Sequence, residues 1–259
     1  METVRRKSSF VQSVDRAVTL MELLSLRGWS GVTEVAGELG INKSTAYRLL
    51  TTLRDRGLVE QDAATEKYRL GFGIVQLAST VRVDLDILHC SRPICARLSE
   101  RTGETVTVAV LEGDDAVVIH QDIARSSALN VDWTGRHTPL HATAAGKIFL
   151  AYMPEEQRSR ILSRKQERFT ENTLVAPGRL SRHLEQVRKS GYARTFEELE
   201  DGLNAVGVPI YGPEDVLLGA ISVSGPAFRM PDGAVSEVVA LLKEAASETS
   251  RCLGRGAGQ

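Results

Sequence analysis

Residues 32–60 read VTEVAGELGINKSTAYRLLTTLRDRGLVE, and the pattern in this stretch decides the first half of the fold. Thr33 is placed to cap a short helix with Val35, Ala36 and Leu39 inward, and Gly40 stops it. Asn42 caps the next helix, which runs to about Arg56 with Gly57 just beyond its end. Ala46, Leu49, Leu50 and Leu53 recur at i, i+3, i+4 and i+7, giving that helix one narrow apolar face. The opposite face presents Ser44, Tyr47, Arg48 and Thr51, with Lys43 and Thr45 in the leading turn. Short hydroxyls and long cationic donors suit phosphate oxygens and base edges in a major groove.

The next residues extend the motif. Residues 58–61 and 67–70 read as two strands around an Asp62–Thr65 turn, placing Lys67 and Arg69 to meet backbone phosphate. A charged helix face by itself is more often a solvated surface than a binding site. Here a short helix, a tight turn, a reading helix and a hairpin come in succession, and the set points to a winged helix-turn-helix on double-stranded DNA. Upstream, Ser13 reads as the cap of a helix over 13–26 with Val14, Ala17, Val18, Met21 and Leu24 at helical spacing.

Downstream the pattern changes. Residues 74–82 read as a connecting helix, and a longer one follows from about Asp84 to Arg101, with Pro93 as a possible kink or break. Strands are expected over 105–111, 116–121, 205–211 and 217–223, and helices over 143–153, 155–163, 178–190 and 232–252. The expected fold class is α+β. A winged helix domain occupies 1–71, a linker helix 72–83, and a mixed α/β domain 84–253.

Composition constrains this reading. The 259 residues are 42% hydrophobic and 25% charged with a formal net charge of −1, so the chain as a whole is no polyanion binder. The sum hides a local excess: between Asn42 and Arg56, Lys43, Arg48, Arg54 and Arg56 face only Asp55. Such a balance limits indiscriminate binding and makes each copy's hold on DNA modest, hence dependent on dimers. Cys90, Cys95 and Cys252 form no CxxC pair, so a reducing compartment and no disulfide framework are expected. With no signal peptide pattern and no long apolar run, a cytoplasmic location away from membranes is the expectation.

In the second domain, Thr143-Ala144-Ala145-Gly146 opens a helix, where unpaired amides and the positive dipole end favour an anion. Ser222 and Ser224 lie two apart on a strand, so their hydroxyls share a side. Without further information this pattern is balanced by a plainer one, in which 144–146 is a tight helix-packing site and the serines are half-exposed strand residues.

Other chemistry is weaker. His137 and His141 are four apart, but Pro139 between them argues against a helix and no third ligand is apparent, so no metal site is expected. Cys95 with His120 or His141 would make a nucleophile–base pair, but the stripe Leu88, Cys95, Leu98 favours buried packing. There is no GxSxG elbow, no P-loop and no GxGxxG, so neither catalysis nor a cofactor is expected. Two alternatives stay beside a DNA-binding protein with an anion-binding second domain: a DNA-binding dimer whose second domain only oligomerises, and an enzyme fused to a winged helix domain.

The segments SVDRAVTLMELLS, VTEVAGELGINKSTAYRLLTTLRDRGLVE and KYRLGFGIVQLA resemble the N-terminal half of IclR-type bacterial transcriptional regulators. PLHATAAGKIFLA and GYARTFEELEDGLNAVGVPIYGPEDVLLGAISVSGP are similar to that family's two effector-domain signatures. The likeness runs from about Ser13 to Arg251. It implies a winged helix-turn-helix, a linker helix and a GAF-like effector-binding domain. It also implies dimers or dimers of dimers on a palindromic operator, often of a catabolic operon. The effector it implies is a small organic acid, glyoxylate- or pyruvate-like or aromatic. On the matching positions, the amides of Ala144 and Ala145, next to Gly146, and the hydroxyls of Ser222 and Ser224 hold its carboxylate, and Leu203 and Ala205 line the pocket. Ala205 stands where some relatives have a polar cysteine, and the upstream acidic position falls on Glu197, Glu198 or Asp201.

Overall fold

The structure is a computed structural model that describes residues 11–78, 82–124 and 131–256. The chain divides into two compact units, 1–81 and 82–259.

The first unit contains α1 (Gln12–Arg27), α2 (Val32–Glu38), α3 (Lys43–Asp55), the strands β1 (Val59–Gln61) and β2 (Tyr68–Leu70), and α4 (Gly73–Ala78). Leu20 and Leu24 of α1, Val35 and Ala36 of α2, and Ala46, Leu50 and Leu53 of α3 bury together with Val59 and Tyr68 of the hairpin. The apolar face read from the sequence is therefore the core face of α3. Asn42 caps α3 as expected, its side chain accepting the Thr45 amide at 2.8 Å. Two other expected caps are corrected. Val11 precedes α1 and Ser13 lies inside it. Gly31 precedes α2, and Glu34 reaches back to accept the Gly31 amide at 2.8 Å, a role Thr33 has no need to fill. Gly71 and Gly73 fix the exit from the wing: a Cβ at either would lie 2.6 Å from the Gly57 carbonyl oxygen. Of the connecting helix expected over 74–82, Gly73–Ala78 is helical and 79–81 lie outside the described residues.

The second unit opens with α5 (Arg82–Thr102), which continues through Pro93 without a break. Burial of Ile87, Ile94, Cys95 and Leu98 on the sheet offsets the one backbone bond that proline removes. Then come β3 (Thr105–Glu112), β4 (Asp115–Asp122), β5 (His137–Thr138), α6 (Ala144–Tyr152), α7 (Glu155–Leu162) and α8 (Pro177–Ser190). β6 (Ala193–Phe196), β7 (Leu203–Tyr211), β8 (Leu217–Pro226) and α9 (Val235–Cys252) complete it. The strands form one antiparallel sheet in the order β5-β4-β3-β8-β7-β6. β5 and β6 were not anticipated from the sequence.

One face of the sheet packs on α5 and α9 through residues such as Val108, Val206, Val208, Ile221 and Val223. The other carries α6 and α8, with Ile148, Phe149, Leu180 and Leu184 buried against Ala109 and Ala220. Strand parity sends Val223 to the first face and Ser222 and Ser224 to the second. One expectation fails here: Cys90 and Cys252 are disulfide-bonded, with Cα atoms 5.8 Å apart. They are 162 positions apart in sequence, and only the packing of α9 alongside α5 brings them together. Among the described residues no helix is long and apolar enough to cross a membrane.

Candidate functional site

The reading helix exposes the side chains that the sequence pattern singled out. Lys43, Ser44, Tyr47 and Arg48 are exposed and Thr45 is half-buried. Asn42 fixes the leading turn by also accepting the Ser44 hydroxyl at 2.8 Å. Lys43, Arg48 and Arg56 make no ion pair among the described residues, so their charge faces outward, whereas Arg54 is turned aside to Gln61 and Asp55. Two expected contacts sit differently. Thr51 is half-buried, with its hydroxyl oxygen buried against the protein, because position 51 borders the core face of α3. Arg69 pairs with Glu60 on the neighbouring strand and stacks over Trp29 at 4.6 Å. It serves the hairpin first. Lys67, at the tip side of β2, remains exposed.

In the second unit, Ala144, Ala145, Leu203, Ala205, Ser222 and Ser224 line one cavity of about 80 Å³. Thr143 caps α6 and accepts the Gly146 amide at 3.1 Å, while its own hydroxyl donates to the Pro139 carbonyl. The amides of Ala144 and Ala145 are first-turn donors with no acceptor inside the helix, and both residues line the cavity. Gly207 lets this helix end approach the sheet, since a Cβ there would lie 3.2 Å from the Ala144 carbonyl carbon. Gly146 does not line the cavity. A Cβ on it would lie 2.4 Å from Leu140 Cα, so its role is the tight packing that the sequence also allowed.

The cavity contains residues that motif reading missed: Thr107, Thr195, Leu199 and Trp133 among them. Thr107 was legible as a strand residue, but only the β3–β8 register places it opposite Ser222, where the two hydroxyls lie 2.8 Å apart. Trp133 is held by its amide on Gln121 Oε1 at 2.8 Å. No described residue lining the cavity is charged, so an anion there is met by amides, hydroxyls and a helix dipole.

A buried ion pair lies on the same helix that opens at the cavity. Lys147, fully buried on α6, donates to Glu198 Oε1 at 2.5 Å. Burial pushes the lysine pKa down and the carboxyl pKa up, each partly offset by the partner. Of the three acidic candidates, Glu198 is the buried one, Glu197 is half-buried and accepts the Gly202 amide, and Asp201 is exposed. Thr170 and Thr173 take up the carbonyls of Glu197 and Glu198, fixing the turn that delivers Leu199 to the cavity. His141 is buried, stacks on Phe169 and bonds the Glu167 carbonyl at 2.8 Å. His137 is exposed near Asp115 and Glu112, and the two histidines do not converge. Cys95 is buried as expected, and burial pushes its thiol up to about 12, which removes it as a nucleophile at neutral pH.

A winged helix-turn-helix followed by a sheet domain with a largely apolar cavity, uncharged among the described residues, is the arrangement of a bacterial transcriptional regulator. Comparison with known proteins agrees across the chain. The IclR helix-turn-helix domain matches residues 13–63, and the domain described as bacterial transcriptional regulator IclR C-terminal matches 79–251. The chain is 36% identical over 252 residues to the transcriptional repressor IclR of Escherichia coli, covering 94% of this chain and 90% of the relative. It is 32% identical over 246 residues to the HTH-type transcriptional regulator XynR of the same organism, covering 94% and 98%. Among solved structures, an IclR homologue from Microbacterium hydrocarbonoxydans complexed with 4-hydroxybenzoate has a TM-score of 0.79 at 25% identity, covering 93% and 99%. The chain belongs to the IclR family of transcriptional regulators.

Proposed function

We propose that this regulator responds to a small organic acid, whose carboxylate binds at the opening of α6 and changes how paired copies hold a palindromic operator. The observation that carries the reading is the cavity itself: it brings the first turn of α6 at Ala144 and Ala145 together with Ser222 and Ser224, with no charged side chain in its wall among the described residues. A small carboxylate suits such a wall, because its polar part offers hydroxyls and first-turn amides as donors beside an apolar remainder that takes the carbon skeleton.

Size narrows the class. A cavity of about 80 Å³ is small beside the several hundred usual for ligand pockets, which favours an acid of roughly two to four carbons. Glyoxylate- and pyruvate-like acids fit this volume, and the relative's larger 4-hydroxybenzoate requires the walls to part. In the DNA-binding unit, Lys43, Ser44, Thr45, Tyr47 and Arg48 make the groove contacts and Lys67 of the wing meets phosphate. One short reading helix spans few base pairs, so two copies, linked through the region around 72–83, read two half-sites. The ligand shifts that arrangement only by its difference in affinity for the two states. Regulation of a neighbouring catabolic operon follows from this use of a metabolite as signal. Among the described residues, the hydroxyls that line the cavity have no histidine or carboxylate beside them in its wall.

The test is a thermal-shift and calorimetric screen of 2-oxo acids, short dicarboxylates and aromatic acids, followed by operator gel shifts with the compound that binds. The expected result is stabilisation by a short acid and a change in operator affinity in its presence. Stabilisation by none of the acids overturns the effector reading; stabilisation by aromatic acids alone overturns the size argument.

A further inference from the structure

The far end of β4 carries a second constellation, on the opposite face of the sheet from the cavity. Cys95 of α5 and His120 and Asp122 of β4 place a thiol sulfur, an imidazole nitrogen and a carboxylate oxygen all within 4.8 Å of one another. An irregularity in the strand makes this meeting possible. Ala116 and Val118 face the α6 side, and in a regular strand His120 and Asp122 would follow them. The β3–β4 register instead passes from Ala109↔Val118 to Val108↔His120, so Ile119 is an extra residue. That bulge turns His120 and Asp122 onto the face of Val108, which packs beneath α5. Bulges of this kind re-aim side chains, and this one delivers two polar groups to a buried thiol.

We propose that Cys95, His120 and Asp122 form a site for a divalent zinc-type cation. The donor set selects the metal: a sulfur, a nitrogen and one carboxylate oxygen suit zinc and its neighbours, not calcium or magnesium, which take oxygen alone. Charge supports burial, since a thiolate and a carboxylate together neutralise a dication. Donors at about 2.0–2.3 Å from a tetrahedral metal stand roughly 3.3–3.6 Å apart, so the 2.8 Å pair of His120 Nε2 and Asp122 Oδ2 opens slightly and the thiol, within 4.8 Å of both, closes in by at most about 1.5 Å. The sulfur is fully buried, whereas the carboxylate side is part-exposed. There a cleft lined by Ser99, Glu100, Asp122 and Ile123 admits the ion and leaves its fourth position to water. On binding, the His120–Asp122 hydrogen bond opens with the imidazole proton held on Nδ1, the thiol proton passes to solvent, sulfur–, nitrogen– and oxygen–metal bonds form, and no electron is transferred.

Cobalt(II) is the probe, because a thiolate bound to it gives a near-ultraviolet charge-transfer band. Full-length, tag-free protein with the Cys90–Cys252 disulfide intact, in which Cys95 is the remaining thiol, is stripped with chelator and titrated. The expected result is a band that saturates at one cobalt per chain, is bleached by zinc and is lost in Cys95→Ser. Asp122→Asn, on the exposed side of the cluster, leaves the buried sulfur in place and is expected to weaken cobalt at least about tenfold. It carries the test if Cys95→Ser does not fold. Absence of the band in the single-thiol protein, or the same affinity in His120→Ala and Asp122→Asn, overturns the site.

Discussion

Thr107 Oγ1 and Ser222 Oγ lie 2.8 Å apart across the β3–β8 pair, on the wall that faces the first turn of α6. In such a pair one hydroxyl donates to the other, and the acceptor's own hydrogen is then free to point into the cavity. The two residues consequently act as one donor with a fixed direction. Ser222→Ala is expected to weaken the acid effector by about 1.5–3 kcal/mol, the scale of a hydrogen bond to a charged group. Thr107→Val is expected to cost a similar amount, and the double variant clearly less than the two added. Calorimetric titration of all three against wild type measures the coupling; strictly additive losses would show that the hydroxyls work apart.

Arg48 and Arg69 divide the cationic surface of the DNA-binding unit. Arg48 is exposed and makes no ion pair among the described residues, while Arg69 is occupied by Glu60 and Trp29. Arg48→Ala is expected to cost about 1–3 kcal/mol of operator affinity and to leave thermal stability unchanged. Arg69→Ala is expected to do the reverse in kind: a smaller loss on DNA and a lower melting temperature, since it removes a stacked, paired side chain from a two-stranded hairpin. Gel shifts and melting curves on the two variants separate the cases. Equal operator affinity of Arg48→Ala and wild type would remove the reading helix from the interface.

Much of this was legible in the sequence because it depends on short-range pattern. The i, i+3, i+4, i+7 stripe through Ala46, Leu49, Leu50 and Leu53 identified α3, and Asn42 identified its start. The alternation around Ser222 and Ser224 fixed a face of β8. What escaped depends on distant partners. β6 is only Ala193–Phe196, too short to stand out beyond Gly191, although its residues alternate in burial. The cysteine count suggested free thiols, and the pairing of Cys90 with Cys252 becomes visible only once α5 and α9 are side by side. Position 51 looked solvent-facing on a helical wheel, where a half-buried hydroxyl at the border of the core face has no signature. The bulge at Ile119 likewise has no signature in a strand read alone, because a register shift is a property of two strands.

Gly146 shows how closely the cavity's floor is packed. An added Cβ would stand 2.4 Å from Leu140 Cα and 2.6 Å from both Leu140 O and Thr143 Oγ1, so backbone as well as the α6 cap must shift. Gly146→Ala is expected to destabilise the second unit by about 1–3 kcal/mol despite alanine's better helix propensity. For a domain of this size that lowers the melting temperature by roughly 2–10 °C. Because the displaced atoms include the cap beside Ala144 and Ala145, effector affinity is expected to fall as well. A variant at least as stable as wild type in differential scanning calorimetry would show that the loop before α6 yields freely.

His183 gives the second unit a pH dependence of definite sign. It lies on α8 with Nε2 buried and without a hydrogen-bond partner among the described residues. Burial first, then the positive charges of Lys147 and Arg194, push its pKa from 6.5 down to about 4. Burial lowers His141 in the same direction. Between the two values the unfolded chain binds a proton that the folded one refuses, so stability is complete above about pH 6.5 and declines as pH falls toward 4. Because the ring is only partly removed from water, the loss attributable to His183 is about 1–2 kcal/mol, less than the full shift implies. His183→Gln has no such titration and is expected to flatten the melting-temperature profile between neutral pH and pH 5, with Lys147 and Glu198 untouched. If the variant and wild type lose stability in parallel over that range, the acid sensitivity lies elsewhere, in His141 or the buried Lys147–Glu198 pair.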